Sequence, residues 1–155
     1  MIDIHNNVRA TTTSTTLEKG MNIQATLTVG FNGLEEGTYI VKVTMIDEVE
    51  RVGSDTELAA VVVDLTKPII NIISPIDGFI IGIDTVVVTG TVTETYGTPT
   101  VLVNSTTAEI SNLGGDLYAF TATITLEEDA NLIVATATDN AIPANVGTNS
   151  ITVTL

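Results

Sequence analysis

A 14-residue stretch recurs at a fixed offset of 92 residues, and it limits the possible fold more than any other feature of the chain. Leu34-Glu35-Glu36-Gly37-Thr38-Tyr39-Ile40-Val41-Lys42-Val43-Thr44-Met45-Ile46-Asp47 aligns without a gap on Leu126-Glu127-Glu128-Asp129-Ala130-Asn131-Leu132-Ile133-Val134-Ala135-Thr136-Ala137-Thr138-Asp139. Each copy runs acidic turn, alternating strand, Asp, loop and final strand. A repeat of this size without catalytic residue types points to an array of β-modules, and so to a spacer, stalk or fibre.

Composition agrees with β structure. The chain has 155 residues, 44% of them hydrophobic and mostly Val, Ile and Leu, alongside abundant Thr. Branching at Cβ suits a pleated, half-buried surface, and no long segment shows a helical period. The length accommodates one domain or two small ones, and the repeat favours two.

Net charge is −14, from 19 acidic against 5 basic residues. It divides as −6 before residue 67 and −8 from there on, so the acidity belongs to the whole chain. Phosphate recognition needs a Lys/Arg footprint, which excludes nucleic acid as an expected partner. The charge reads as self-repulsion at a soluble surface or as a requirement for cations. With no cysteine there are no disulfides, thiolate metal sites or thiol nucleophiles. No apolar run reaches the ~18 residues of a membrane helix, and no signal peptide is visible.

Turn residues partition the second half into seven strands. They are Ile69–Ser74 (A), Val86–Val92 (B), Thr100–Val103 (C), Thr107–Ile110 (C′ or D), Leu117–Leu126 (E), Leu132–Thr138 (F) and Ser150–Leu155 (G). Pro75-Ile76-Asp77-Gly78 and Gly114-Gly115-Asp116 form tight turns, because Pro presets φ and Gly accepts positive φ. Seven short strands over this length fit an immunoglobulin-like sandwich. In the first half the expected strands are Ile2–Arg9, Thr11–Leu17, Ile23–Val29, Tyr39–Ile46 and Leu58–Val63. The expected fold is all-β: two tandem Ig-like antiparallel sandwiches over 1–66 and 67–155, the first short or incomplete. Shifting by 92 residues sets Met1 opposite Thr93, so the first module lacks counterparts of strands A and B. It is a trimmed sandwich, a cut one, or one completed by a strand from a neighbour.

The segment Val61-Val62-Val63-Asp64-Leu65-Thr66-Lys67-Pro68, leading into Ile69–Gly78, resembles the junction of tandem bacterial and archaeal immunoglobulin-like surface repeats. Asp64-Leu65-Thr66-Lys67-Pro68 followed by Pro75-Ile76-Asp77-Gly78 is similar to their "D-x-T-x-P" and "P-x-D-G". Val88-Thr89-Gly90-Thr91-Val92-Thr93-Glu94 resembles their "v-x-G-x-v-x-D", with Glu in place of Asp. Val101-Leu102-Val103-Asn104 resembles "v-x-V-N-G", with Ser105 in place of Gly. Ala135-Thr136-Ala137-Thr138-Asp139-Asn140 resembles "v-x-A-x-D-N-A-G-N". In the first module Met45-Ile46-Asp47-Glu48 keeps only the Asp. The likeness covers roughly 35–155. It implies an extracellular setting in surface-layer proteins, adhesins, fibres or accessory modules of glycosidases, and fold alone does not choose among them.

Oxygen ligands concentrate at the module junction. In an Ig-like sandwich the BC and FG loops lie where strand A enters. Glu94 is in the BC loop, Asp139 and Asn140 open the FG loop, and Asp64 precedes strand A. The Glu35-Glu36 turn lies at the exit of the first module. Carboxylates in this number suit Ca²⁺, which takes six to eight oxygens. The competing reading is a set of solvated turn carboxylates, with Asp139 capping its own loop. Glu127-Glu128-Asp129 would meet a further module in a longer array, or is an exposed turn. Tyr96, in the BC loop, is the candidate platform for a sugar or protein ligand. Asn104-Ser105-Thr106 is a glycosylation sequon, a short pattern common by chance. His5, the one histidine, has no partners for a triad or a zinc site. No glycosidase dyad and no phosphate loop can be identified.

The expected function is a non-catalytic structural or adhesive segment of an extracellular surface or filament protein, with Ca²⁺ as the one candidate cofactor. Its expected partners are neighbouring Ig-like modules or copies of itself, joined head to tail or by strand donation. The alternatives are an accessory module of an extracellular carbohydrate-active enzyme and a carbohydrate- or protein-binding module.

Overall fold

A computed structural model describes residues 33–46 and 52–155. The expected strands before residue 30 lie outside the described residues. Residues 36–155 form one compact unit, and residues 33–35 belong to the unit before it.

Strands β1 (Gly37–Ile46) and β2 (Val52–Val63) form an antiparallel hairpin. Nine strands follow. They are β3 (Ile69–Ser74), β4 (Phe79–Ile80), β5 (Thr85–Thr93), β6 (Thr100–Val103), β7 (Thr106–Thr107), β8 (Glu109–Gly114), β9 (Leu117–Thr125), β10 (Ala130–Thr138) and β11 (Val146–Thr154). One sheet has the order β3-β5-β9-β8, the other β4-β11-β10-β6-β7. With β3, β5, β9 and β8 as A, B, E and D, and β6, β10 and β11 as C, F and G, this is the ABED/CFG arrangement of the immunoglobulin-type sandwich. All pairings are antiparallel except β4 with β11.

Alternation creates the core. Along β5 the even positions Val86, Val88, Gly90 and Val92 face inward while Val87 and Thr93 are exposed, and β9 repeats the pattern with Tyr118, Phe120, Ala122 and Ile124. From the opposite sheet come Val101, Val103, Ile133, Ala135, Ala137 and Val153. Burying each Val or Ile in this way is worth roughly 1.5–3 kcal/mol. Gly90 lies opposite Phe120 across the β5–β9 ladder. A methyl group there would land on the carbonyl of Asn71 and on the Phe120 ring. The glycine of this strand therefore makes room for an aromatic ring and a close β3 strand.

Two expectations are refined. The single short strand expected at Thr107–Ile110 is two strands, β7 and β8, divided between the sheets around buried Ala108. Strand β4 was not expected, because two residues carry no periodicity. Its position follows from the Pro-x-Asp-Gly turn. Gly78 adopts φ +74°, its amide donates to Thr152 O (2.8 Å), and Asp77 Oδ1 accepts from Thr152 N (2.8 Å). The turn thus docks on β11 and delivers Phe79 and Ile80 alongside it.

The sequence repeat is also a repeat of register. Thr38, Tyr39 and Ile40 face Val62, Val61 and Ala60, and Ala130, Asn131 and Leu132 face Thr154, Val153 and Thr152. Every residue of the first set moves onto its counterpart by the same 92 positions. Gly37↔Val63 has its equivalent in the bond from Leu155 N to Asp129 O (3.0 Å). Beyond Ile40 the first hairpin is bulged and the two registers part.

Candidate functional site

Three strands end in an acid at one end of the sandwich. Asp64 follows β2, Glu94 follows β5 and Asp139 follows β10. Where a strand leaves its ladder the next amides lose their partners, and a short acid can accept them. All three do so in the same way. Thr66 N donates to Asp64 Oδ1 (3.1 Å), Tyr96 N to Glu94 Oε1 (2.8 Å) and Ala141 N to Asp139 Oδ1 (3.0 Å). Each bond spans two residues, so loop capping accounts for one oxygen of each acid.

Loop capping does not account for their burial. Asp64 is 9% exposed, and Glu94 and Asp139 are each 5% exposed. Side chains of these types are rarely fully buried unless paired. Among the described residues none of the three forms an ion pair with Lys, Arg or His, and Lys67 is exposed. Asn145 supplies neutral donors. Its amide and side chain donate to Asp139 Oδ1 (2.8 Å) and Oδ2 (2.7 Å), and the same side chain reaches Asp64 O (3.1 Å). Asn145 thereby ties the segment after β2 to the β10–β11 loop.

Oδ2 of Asp64 is buried and has no donor at all. Burial raises the pKa of Glu94, the charges of Asp64 and Asp139 raise it further, and the Tyr96 amide offsets only part. Burial also pushes Asp139 upward, but the Asn145 side chain and the amides of Asn145 and Ala141 outweigh it, leaving Asp139 below the ordinary value. Among the described residues no three carboxylates or histidines stand in the tight grouping of a pre-formed metal site.

The other sequence candidates take distinct places. Asn140 is exposed, and its side chain donates to Thr98 O (3.1 Å), joining the FG loop to the BC loop. Glu36 is exposed and accepts from the Thr66 hydroxyl, and Glu35 is exposed. Tyr96 is half-buried, in a loop pinned further by Tyr118 Oη donating to Gly97 O (3.0 Å). Asn104 is exposed in the two-residue turn between β6 and β7, at φ +51°. Its Oδ1 accepts from Val134 N (2.9 Å) and its own amide donates to Val134 O (2.8 Å), so it extends the β10 ladder. The Glu127-Glu128-Asp129 turn is exposed. His5 lies outside the described residues.

Sequence reasoning missed Asn145 and Gly147. The resembling pattern ends in an Asn after "D-N-A-G", and in this chain Ile142-Pro143-Ala144 moves that residue to position 145. A methyl group on Gly147 would land on the carbonyl of Pro68, so the linker lies directly on β11 there. No local sequence signal marks that approach.

Compared with protein-family models and with curated proteins, the chain matches none. Among the described residues no helix is long and apolar enough to cross a membrane. On the outer face of the β3-β5-β9-β8 sheet an open groove runs between Ile73, Thr89, Thr91, Ile110, Leu113 and Thr121, with Glu109 its sole titratable lining group.

Proposed function

We propose that this chain is a non-catalytic structural or adhesive segment of an extracellular surface or filament protein, built from immunoglobulin-like modules in series. The observation that carries this reading is the hairpin β1–β2, whose pairs from Thr38↔Val62 to Ile40↔Ala60 reproduce the register of β10–β11 at an offset of 92 residues. In this reading β1 and β2 are the last two strands of one sequence module and lead through Asp64-Leu65-Thr66-Lys67-Pro68 into the first strand of the next. Nearest-neighbour stacking of such units is how repeat arrays gain length and stiffness. The linker is held to the following sandwich by Asn145 and by its seat on Gly147. Outward-facing Thr and the distributed negative charge favour solubility over collapse.

Glu109 is the sole titratable lining group of the groove on the outer sheet, which favours a non-catalytic reading. The extracellular setting and the family likeness rest on the junction motifs. Immunogold labelling tests the reading. Antibody against residues 67–155 should decorate intact source cells or their filaments, and labelling confined to permeabilised cells would reject it. Tyr96→Ala should leave binding to a polysaccharide panel unchanged, since a structural segment needs no sugar platform.

A further inference from the structure

In the extracellular setting proposed above, on which this step rests, we infer that Asn104 is a site of N-linked glycosylation whose glycan stands beside the open β7 edge of its sheet. Asn104-Ser105-Thr106 is the only Asn-x-Ser/Thr triplet of the chain, and a triplet alone is too short to decide anything. The deciding observation is which atom of Asn104 the fold uses. Val134 N is a donor, so the carboxamide must turn its oxygen there, and Oδ1 accepts at 2.9 Å. Nδ2 then lies on the other side of the carboxamide, in a turn where Asn104, Ser105, Thr106 and Thr107 are all exposed. Asn112, Asn131, Asn140 and Asn145 do the opposite, each giving Nδ2 to a backbone carbonyl. Asn104 is held by its oxygen and leaves its nitrogen to solvent.

The transfer needs a carboxamide nitrogen with room around it and a hydroxyl two residues on, which Thr106 supplies. The donor is an oligosaccharide linked to a lipid pyrophosphate. Nδ2 attacks C1 of the first sugar. The bond from C1 to the phosphate oxygen breaks, its electron pair leaves with the lipid pyrophosphate, and one Nδ2 proton passes to a base of the transferase. The product keeps Oδ1 and one N–H, so the bond from Val134 N survives. Asn also tolerates the positive φ of +51° that the turn imposes, and a second bond, from Asn104 N to Val134 O (2.8 Å), closes the turn. The glycan would therefore stand on a fixed tip. Strand β7 follows at once and is the last strand of its sheet. An open edge is a template for pairing with another chain, and a bulky, solvated group beside it blocks that approach.

Peptide mass mapping tests this on the full chain, taken from its source cells and secreted from a eukaryotic host. Both should carry one sugar adduct, on the peptide that contains Asn104, and amidase release should leave Asp at that position. Asn104→Asp keeps an acceptor for Val134 N and a residue type that tolerates positive φ, so it folds, and it should lose the adduct. Thr106→Ala should lose it with Asn104 intact, whereas Thr106→Ser and Ser105→Ala should retain it. Glycosylated and released forms should share one Tm, because an oxygen at 104 holds Val134 N in both. A bare Asn104 on chain that immunogold places at the cell surface overturns the assignment and leaves the structural reading standing. An adduct that survives Thr106→Ala, or a Tm lowered by the glycan, overturns it as well.

Discussion

Glu94 and Asp139 occupy similar positions at strand ends, yet their proton affinities move in opposite directions. What separates them is the donor count. Asp139 accepts three bonds from Ala141 and Asn145, whereas Glu94 has the Tyr96 amide against a larger burial cost and two like charges. The sign of the pH dependence follows. Raised in the folded state, Glu94 withdraws stability as pH climbs from its unfolded value of 4.5 through its folded value. Depressed, Asp139 contributes stability above 3.8 and loses it as pH falls through its folded value. Glu94→Gln keeps an oxygen for the Tyr96 amide. At neutral pH it should raise Tm, because the buried charge and its repulsion by Asp64 and Asp139 are gone. It should also flatten the melting profile above pH 4.5. A Tm unchanged across that range would show that Glu94 is solvated in solution.

At the level of elements, backbone conformation and close approach decide which residues a strand or turn tolerates. Asp129 sits at φ +74° in the turn before β10, and its repeat counterpart Gly37 also has positive φ, +153°. A left-handed conformation is costly for a residue with a Cβ and nearly free for glycine. Asp129→Gly should therefore stabilise the chain by roughly 0.5–1 kcal/mol in urea melts, and destabilisation would mean that the carboxylate has an unseen role. Gly90 is the opposite case, where a small change costs much. Gly90→Ala should destabilise by about 3 kcal/mol, because the methyl must displace either the β3 backbone or the Phe120 ring. Pairing with Phe120→Leu should recover part of the loss, and no recovery would place the strain on the Asn71 carbonyl alone.

For the whole molecule, the segment between β2 and β3 carries the main consequence. Gly147 at the start of β11 gives the Pro68 carbonyl its seat, and Asn145 in the loop just before it holds Asp64 O. Gly147→Ala should push Pro68 off β11 while leaving the core of β5, β9 and β10 intact. Hydrogen exchange should then show faster exchange or proteolysis at 64–68 with unchanged protection at Val88 and Ile133. Uniform loss of protection would show that linker and sandwich unfold as one cooperative unit.

Periodicity and turn chemistry are local, so they were legible in the sequence. The alternation in β5 and β9, the turns at Asp77-Gly78 and Gly114-Gly115, and the offset repeat all depend on residues close in the chain. They were enough to give an all-β sandwich and to place Asp64, Glu94 and Asp139 at strand ends. What required the tertiary structure were contacts between residues far apart. These include the two-residue strand β4 beside β11, the division of β7 and β8 between sheets, and the two roles of Asn145. The burial that turns three ordinary loop caps into one charged cluster belongs with them. It depends on three chain segments meeting, and the desolvation that distinguishes the cluster exists only once they do.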